Sequence, residues 1–305
     1  MKNKKDKSKQ PCRSMLYIPG DAPGMIQNAC VFGSDSILLD LEDAIAPSEK
    51  DAARKLVRSF LDEFDFGELI VTVRINAADT VYFKKDLEEI VPADPDAIRL
   101  PKCDSAEDVR KADALITEIE KKNGMTPGGV KIHAMLETAL GIENAFEVAK
   151  ASPRVSAITL GGQDLTADLG VQKTRGGHEL FYSRGRVVVG ARAAGVMAFD
   201  TVWTDMNDPE GLYNEAKQIV ELGFTGKAAI HPSQVDVIHK AYRPDYREYV
   251  RAKRILEAAA LAEKEGKGVI AVDGKMVDGP IVARAARLVA IASLYDYEEE
   301  EGLSQ

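Results

Sequence analysis

Two stretches, Lys131-Ile132-His133-Ala134-Met135-Leu136-Glu137 and Ala157-Ile158-Thr159-Leu160-Gly161-Gly162-Gln163-Asp164, decide how this chain reads. Each is a short apolar run that stops at a polar or special residue. Working outward, the layout recurs. Arg13–Ile18 leads into Pro19-Gly20, Ser36–Leu39 into Asp40, Glu42 and Asp43, Ile70–Val73 into Arg74 and Asn76, and Ala97–Leu100 into Pro101-Lys102. Gly195–Phe199 ends at Asp200-Thr201, and Lys227–Ile230 runs into His231-Pro232. Segments with helical spacing lie between. Strand-like runs roughly thirty residues apart, with helices between them, pair in parallel through crossovers. The expectation is an α/β fold, a (β/α)8 TIM barrel, in which functional groups collect just past the carboxyl ends of the strands. A doubly wound open sheet is the competing fold, but no G-x-G-x-x-G follows the first strand.

Local signals place the elements. Ser48 before Glu49-Lys50-Asp51 resembles a capping box and predicts a helix to about Phe60. Ser105 with Asp108 opens a helix over Ala106–Asn123 that stops at Gly124. Asp208-Pro209-Glu210 sets a cap before a proline at the first helical position. The eighth strand ends near Ile230, so the barrel domain is expected over 12–245. Residues 246–305 form a C-terminal extension: a charged helix Arg247–Glu265, a hairpin over Gly268–Asp278 signalled by Asp273-Gly274, and a helix from Pro280. Closure of the barrel does not need it, so it covers a face or reaches a neighbouring subunit. Residues 1–11 are lysine-rich without an apolar core, and read as a disordered basic tail rather than a secretory signal. The Glu298–Glu301 run reads as a solvated tail.

Composition narrows the functional classes. The 305 residues are 45% hydrophobic, enough for one large core, and carry a net charge of −9, which argues against nucleic acid as a partner. No apolar run is long enough to span a membrane. Cys12, Cys30 and Cys103 show no metal-binding or redox spacing and read as reduced thiols of a cytoplasmic protein. Trp203 and the scattered aromatics show no stacking pattern for bases.

Several rim residues suggest chemistry. Glu137 and Asp164 follow neighbouring strands. Magnesium takes hard oxygen ligands and keeps several waters, so two carboxylates and a chelating 2-oxo acid would suit it. Either acid alone is more simply a helix cap, whereas the pair favours metal. Arg74 offers a planar fork for a carboxylate and for a developing oxyanion, or an ion pair with Asp40, Glu42 or Asp43. Both readings are compatible, since acids can preorganise the arginine. Gly161 and Gly162 join Arg74 as substrate-binding candidates. Lys50 and Arg54, four apart on one helix face, either meet the phosphates of a thioester cofactor or form a solvated basic face. Lys102 admits a Schiff-base reading, against which Pro101 signals a tight rim turn. His231 reads as structural.

These residues carry a resemblance. Arg13-Ser14-Met15-Leu16-Tyr17-Ile18-Pro19-Gly20, Leu39-Asp40-Leu41-Glu42-Asp43-Ala44, Arg99-Leu100-Pro101-Lys102, Glu137-Thr138 and Gly161-Gly162-Gln163-Asp164-Leu165 resemble the citrate lyase β-subunit group. That group belongs to the metal-dependent carbon–carbon lyases, with the malyl-CoA and citramalyl-CoA lyases. The likeness runs from about Cys12 to Tyr295. Gly176–Arg184, Asp200-Thr201-Val202-Trp203 and Gly274–Pro280 look most like the β subunits. Gly162-Gln163-Asp164 departs from the frequent Gly-Ala-Glu-Asp, and His231 stands where some members have asparagine. The resemblance implies Mg2+ held by Glu137 and Asp164, Arg74 on the oxaloacetate portion, and Asp278 supplied to a neighbour's site within a homotrimer or dimer of trimers. It implies a citryl thioester, on an acyl carrier protein or CoA, cleaved to oxaloacetate and an acetyl thioester, beside α and γ subunits. Asp278 is then the candidate acid, and the base is Glu42, Asp43 or a metal-bound water. A stand-alone malyl-CoA or citramalyl-CoA lyase is the alternative, and a noncatalytic barrel anchoring partner subunits is a rival of another class.

Overall fold

Eight short strands close on themselves: β1 (Ser14–Pro19), β2 (Ser36–Asp40), β3 (Ile70–Arg74), β4 (Ala97–Leu100), β5 (Lys131–Leu136), β6 (Val155–Leu160), β7 (Met197–Asp200) and β8 (Gly226–Ala229). Each pairs in parallel with the next, and β8 returns to β1 through Ser14–Lys227, Met15–Ala228 and Leu16–Ala229. The computed structural model describes residues 7, 10–264, 270–295 and 297. All eight expected strands are present, with ends shifted by no more than two residues. A parallel sheet covered on both faces reads as a continuous apolar run. Accordingly every residue of β2, β3, β4 and β8 is buried. The barrel interior packs Met15, Leu38, Ile70, Ala157 and Phe199, with His133 tilted against the Phe199 ring at 5.9 Å.

The helices are α1 (Pro23–Gln27), α2 (Lys50–Glu63), α3 (Phe83–Ile90), α4 (Ala106–Lys122), α5 (Ala139–Glu143), α6 (Ala145–Ala149), α7 (Gly162–Asp168), α8 (Phe181–Ala194), α9 (Pro209–Leu222) and α10 (Ser233–Tyr242). α4 forms for the expected reasons. Its capping box is complete, with the Ser105 N–H and hydroxyl both donating to Asp108 at 2.8 Å. Val109, Ala112, Ile116 and Ile119 make its buried stripe, and Gly124 follows it with φ +68. In α9, Asp208 accepts from the Gly211 N–H at 2.9 Å ahead of Pro209. The start of α2 differs from expectation. It begins at Lys50 after an uncapped Glu49, so Ser48 is not its cap, and it runs three residues beyond Phe60. Leu61 continues the buried face of Ala53 and Val57, which holds that last turn.

One strut was not foreseen. Lys227 of β8 donates to Asp200 of β7 at 2.8 Å, to Glu215 of α9 at 2.6 Å and to the Thr201 carbonyl at 2.8 Å. Arg184 of α8 reaches both acids at 2.9 Å. Burial pushes the Asp200 carboxyl up, but Lys227 and Arg184 outweigh it and hold it down at about 2. Asp200, expected at the functional rim, therefore ties two strands to two helices.

The chain divides into one unit over Met1–Ala241 and a second over Tyr242–Gln305. In the second, α11 (Tyr246–Lys264) packs on α12 (Gly279–Ala292) around Ala252, Ile255 and Ala285. The expected hairpin is β9 (Ile270–Val272) with β10 (Lys275–Val277), antiparallel. Asp273 and Gly274 both have positive φ, 49° and 72°, as a two-residue primed turn demands. Of the tail expected over 1–11, most residues lie outside the described ones. Lys7 is described and donates to the Leu69 carbonyl at 2.6 Å. The acidic run 298–301 and the expected hairpin start at Gly268 also lie outside the described residues. Among the described residues, no helix is long and apolar enough to cross a membrane. Cys12 and Cys103 are buried, Cys30 is exposed, and all three are unpaired.

Candidate functional site

The carboxyl ends of β3, β5 and β6 bring the main candidates together. Glu137 directly follows β5, is 3% exposed, and accepts the Lys102 backbone N–H at 2.7 Å. To present that N–H, Lys102 sits in the left-handed region with φ 50°, where a side chain costs energy. Gly161, just past β6, is required by contact: a Cβ there would lie 2.6 Å from the Glu137 Cβ and 2.7 Å from its Oε2. Gly162 donates its N–H to the Thr201 hydroxyl at 3.0 Å. Asp164 follows in the first turn of α7, exposed. Burial raises the Glu137 carboxyl to about 7, with the charge and hydrogen bonding of Asp164 adding to it against the Lys102 N–H and Arg74. Two carboxylates thus share one small space.

Arg74 ends β3 and is gripped by acids. Its Nε and Nη2 donate to the two oxygens of Asp40 at 2.7 and 2.6 Å, and Nη1 lies 3.0 Å from Glu42 and 3.2 Å from Asp43. Its guanidinium covers the Tyr17 ring at 5.4 Å. Burial pulls its pKa down, and the bonds to Asp40 outweigh that. Glu42 moves the other way. Burial raises it to about 8, Asp43, Glu137 and Asp40 add to the rise, and Arg74 opposes it. Asp43 keeps 68% of its side chain exposed. The ion-pair reading of Arg74 is therefore realised, and its acids hold the fork in one orientation.

Lys50 and Arg54 do not form the solvated basic face. They are buried rather than solvated, and most of their donors serve the protein, Arg54 Nη2 being the exception. Lys50 Nζ donates to the Leu41 and Glu42 carbonyls at 2.9 and 2.7 Å, and Arg54 Nε donates to Asp86 at 2.6 Å. Their four-residue spacing set a common face, but the helix turns that face inward. His231 pairs with the Ser233 hydroxyl at 2.8 Å near the start of α10. Asp278 belongs to the second unit and accepts the Ile281 N–H at 3.3 Å as the cap of α12. The structure thus gathers Glu137, Asp164, Gly161, Gly162, Arg74 and Asp43, while Lys50 and Arg54 act as braces. Three contributors went unforeseen: the Lys102 peptide, Tyr17 and Arg99. Arg99 has one visible sign, a lone cation inside the apolar run Ala97–Leu100.

The donor set suits a hard divalent cation. Buried Glu137 and exposed Asp164 are oxygen ligands whose mutual repulsion calls for a proton or a metal. Among the described residues no cluster of three or more His, Cys, Asp or Glu forms a closed metal cage. An ion held by the pair would keep most positions for substrate and water.

A closed parallel barrel with a carboxylate pair beside an acid-held arginine at its strand ends defines a class of barrels whose rim can hold a divalent ion and an anionic ligand. Within that class, the chain belongs to the HpcH/HpaI aldolase/citrate lyase family, whose model matches residues 13–232. It is 42% identical over 290 residues to the citrate lyase subunit beta of Leuconostoc mesenteroides subsp. cremoris, covering 95% of this chain and 96% of that one. The fold is similar to that of CitE from Mycobacterium tuberculosis in complex with magnesium, acetoacetate and coenzyme A (TM-score 0.74, 31% identity, 94% of this chain and 99% of that one). It is also similar to a citrate lyase beta subunit from the same organism complexed with oxaloacetate and magnesium (TM-score 0.67, 32% identity, 78% and 100%).

Proposed function

We propose that this chain is a Mg2+-dependent citryl-thioester lyase, the β subunit of a citrate lyase. The carboxylate pair Glu137–Asp164 beside Arg74 carries the reading, and the 42% identity to a citrate lyase subunit beta supports it. Glu137 and Asp164 hold the ion. When bound, Mg2+ supplies a Lewis acid that makes the substrate hydroxyl more acidic. Arg74, fixed by Asp40, holds the carboxylate of the oxaloacetate half. Asp43, the exposed acid on Arg74, takes the hydroxyl proton. The carbon–carbon bond then breaks, its electrons pass to the acetyl thioester as an enolate, and oxaloacetate keeps the new carbonyl. Asp278 of a neighbouring subunit in a trimer gives the enolate carbon its proton. The thioester arrives on an acyl carrier protein or CoA, and α and γ subunits complete the assembly.

The test pairs binding with product analysis. Calorimetry should show Mg2+ binding to the wild type, tightened by oxaloacetate, and lost in Glu137→Gln and Asp164→Asn with the fold intact. Citryl-CoA, malyl-CoA and citramalyl-CoA are each assayed with and without chelator. Citryl-CoA should give oxaloacetate only without chelator. Full turnover of either variant in chelator, or preference for malyl-CoA or citramalyl-CoA, overturns the reading.

A further inference from the structure

Charge accounting at the rim leaves a gap. Arg74 faces Asp40, Asp43 and Glu42, so its positive charge is more than matched, and Glu137 and Asp164 add to the acidic side. The substrate proposed above is itself an anion. A second arginine in the barrel has no acid of its own among the described residues. Arg99 on β4 stands in register with Arg74 on β3 and is fully buried. No carboxylate pairs with it among the described residues. Its Nη2 lies 2.8 Å from the Met15 sulfur, its Nη1 faces the Tyr17 hydroxyl at 3.4 Å, and its Nε has no acceptor. The neighbouring titratable groups do not neutralise it. His133, in register on β5, is kept neutral by burial and by Arg99 itself, and burial keeps the Cys12 thiol protonated. Burial and the neighbouring Arg74 pull the Arg99 guanidinium below its usual range, and Tyr17, Cys12 and Glu137 oppose them.

We propose that Arg99 and Tyr17 form a relay that delivers this uncompensated positive charge to the reacting end of the substrate. Tyr17 lies between two guanidiniums, with Arg74 over its ring and Arg99 at its hydroxyl. A guanidinium can only donate, so the Tyr17 oxygen accepts from Arg99 and its own proton is left to donate outward. Tyr17 is only partly buried, at the carboxyl half of β1, whereas Arg99 is sealed below. Tyr17 is thus the donor to an oxaloacetate oxygen, and Arg99 is a positioning residue that polarises it. No proton needs to be transferred for this.

The inference rests on the lyase reading, and the experiment separates the two. Wild type, Tyr17→Phe, Arg99→Lys and Arg99→Met are compared in kcat and KM on citryl-CoA, Mg2+ affinity, oxaloacetate affinity in Mg2+, and thermal midpoint. Tyr17→Phe should keep the thermal midpoint and Mg2+ affinity, while kcat and oxaloacetate affinity each fall by about tenfold or more. Arg99→Lys should recover part of the kcat that Arg99→Met loses. A wild type inert on citryl-CoA defeats the lyase reading. A wild type that cleaves it, with Tyr17→Phe matching it in kcat and oxaloacetate affinity, defeats the relay. If Arg99→Met fails to fold, Tyr17→Phe decides alone.

Discussion

Burial sets the pH behaviour of Glu42, and its sign can be worked out. The folded chain raises this carboxyl from its ordinary 4.5 to about 8. The folded state therefore keeps a proton that the unfolded chain gives up. That contribution to stability is fully present below about 4.5 and is lost as pH rises through about 8. Glu42→Gln has the same shape and cannot titrate. It should gain on the wild type in denaturation midpoint as pH climbs from about 5 to about 8.5. A difference that stays constant over this range refutes the burial account. Single residues were unequally legible in the sequence. Glu137 and Asp164 stood out because each follows an apolar run at a strand end. Tyr17 and Arg99 lie inside such runs, where an inward polar side chain reads simply as strand. Lys50 and Arg54 were misplaced because four-residue spacing defines a shared face without saying whether it points to water.

Between strand and helix, the turn after β4 holds a non-glycine residue in the left-handed region. Lys102 adopts φ 50° to aim its N–H at Glu137. Lys102→Val should lower stability by about 1–2 kcal/mol, since a left-handed backbone is costly for a branched side chain, and should weaken Mg2+ binding by loosening Glu137. Lys102→Gly should stay within about 1 kcal/mol of wild type and keep turnover. Loss of all turnover in Lys102→Gly, with a borohydride-trapped adduct in wild type, would restore the Schiff-base reading. Elements with explicit caps, α4 and α9, were legible to within a residue or two. α2 was not, because the acids after Ser48 imitate a capping box that the backbone does not form. The buried cluster of Lys227, Asp200, Glu215 and Arg184 draws on four elements. No local pattern announces such a partnership.

At the scale of the molecule, the barrel and its extension are separate compact units, and Asp278 sits in the second as the cap of α12. Its proposed service to a neighbouring subunit is tested by mixing inactive Asp278→Asn with inactive Glu137→Gln and letting subunits exchange. Mixed assemblies contain sites with both residues intact, so activity should partly return. No recovery, with exchange confirmed by mass, confines Asp278 to its own subunit or to capping. The barrel's seam has a different consequence, for synthesis. β1 pairs with β8 through residues 14–16 and 227–229. The first strand made thus waits for the last, 211 residues later by position from 16 to 227. At translation rates of about 5–20 residues per second, that is on the order of ten to forty seconds. Throughout that time Ser14–Pro19 presents an unpaired flank to the ribosome's surroundings. In the nascent chain β2 can cover one side of β1, and the other side stays open to pairing until Lys227 has left the exit tunnel.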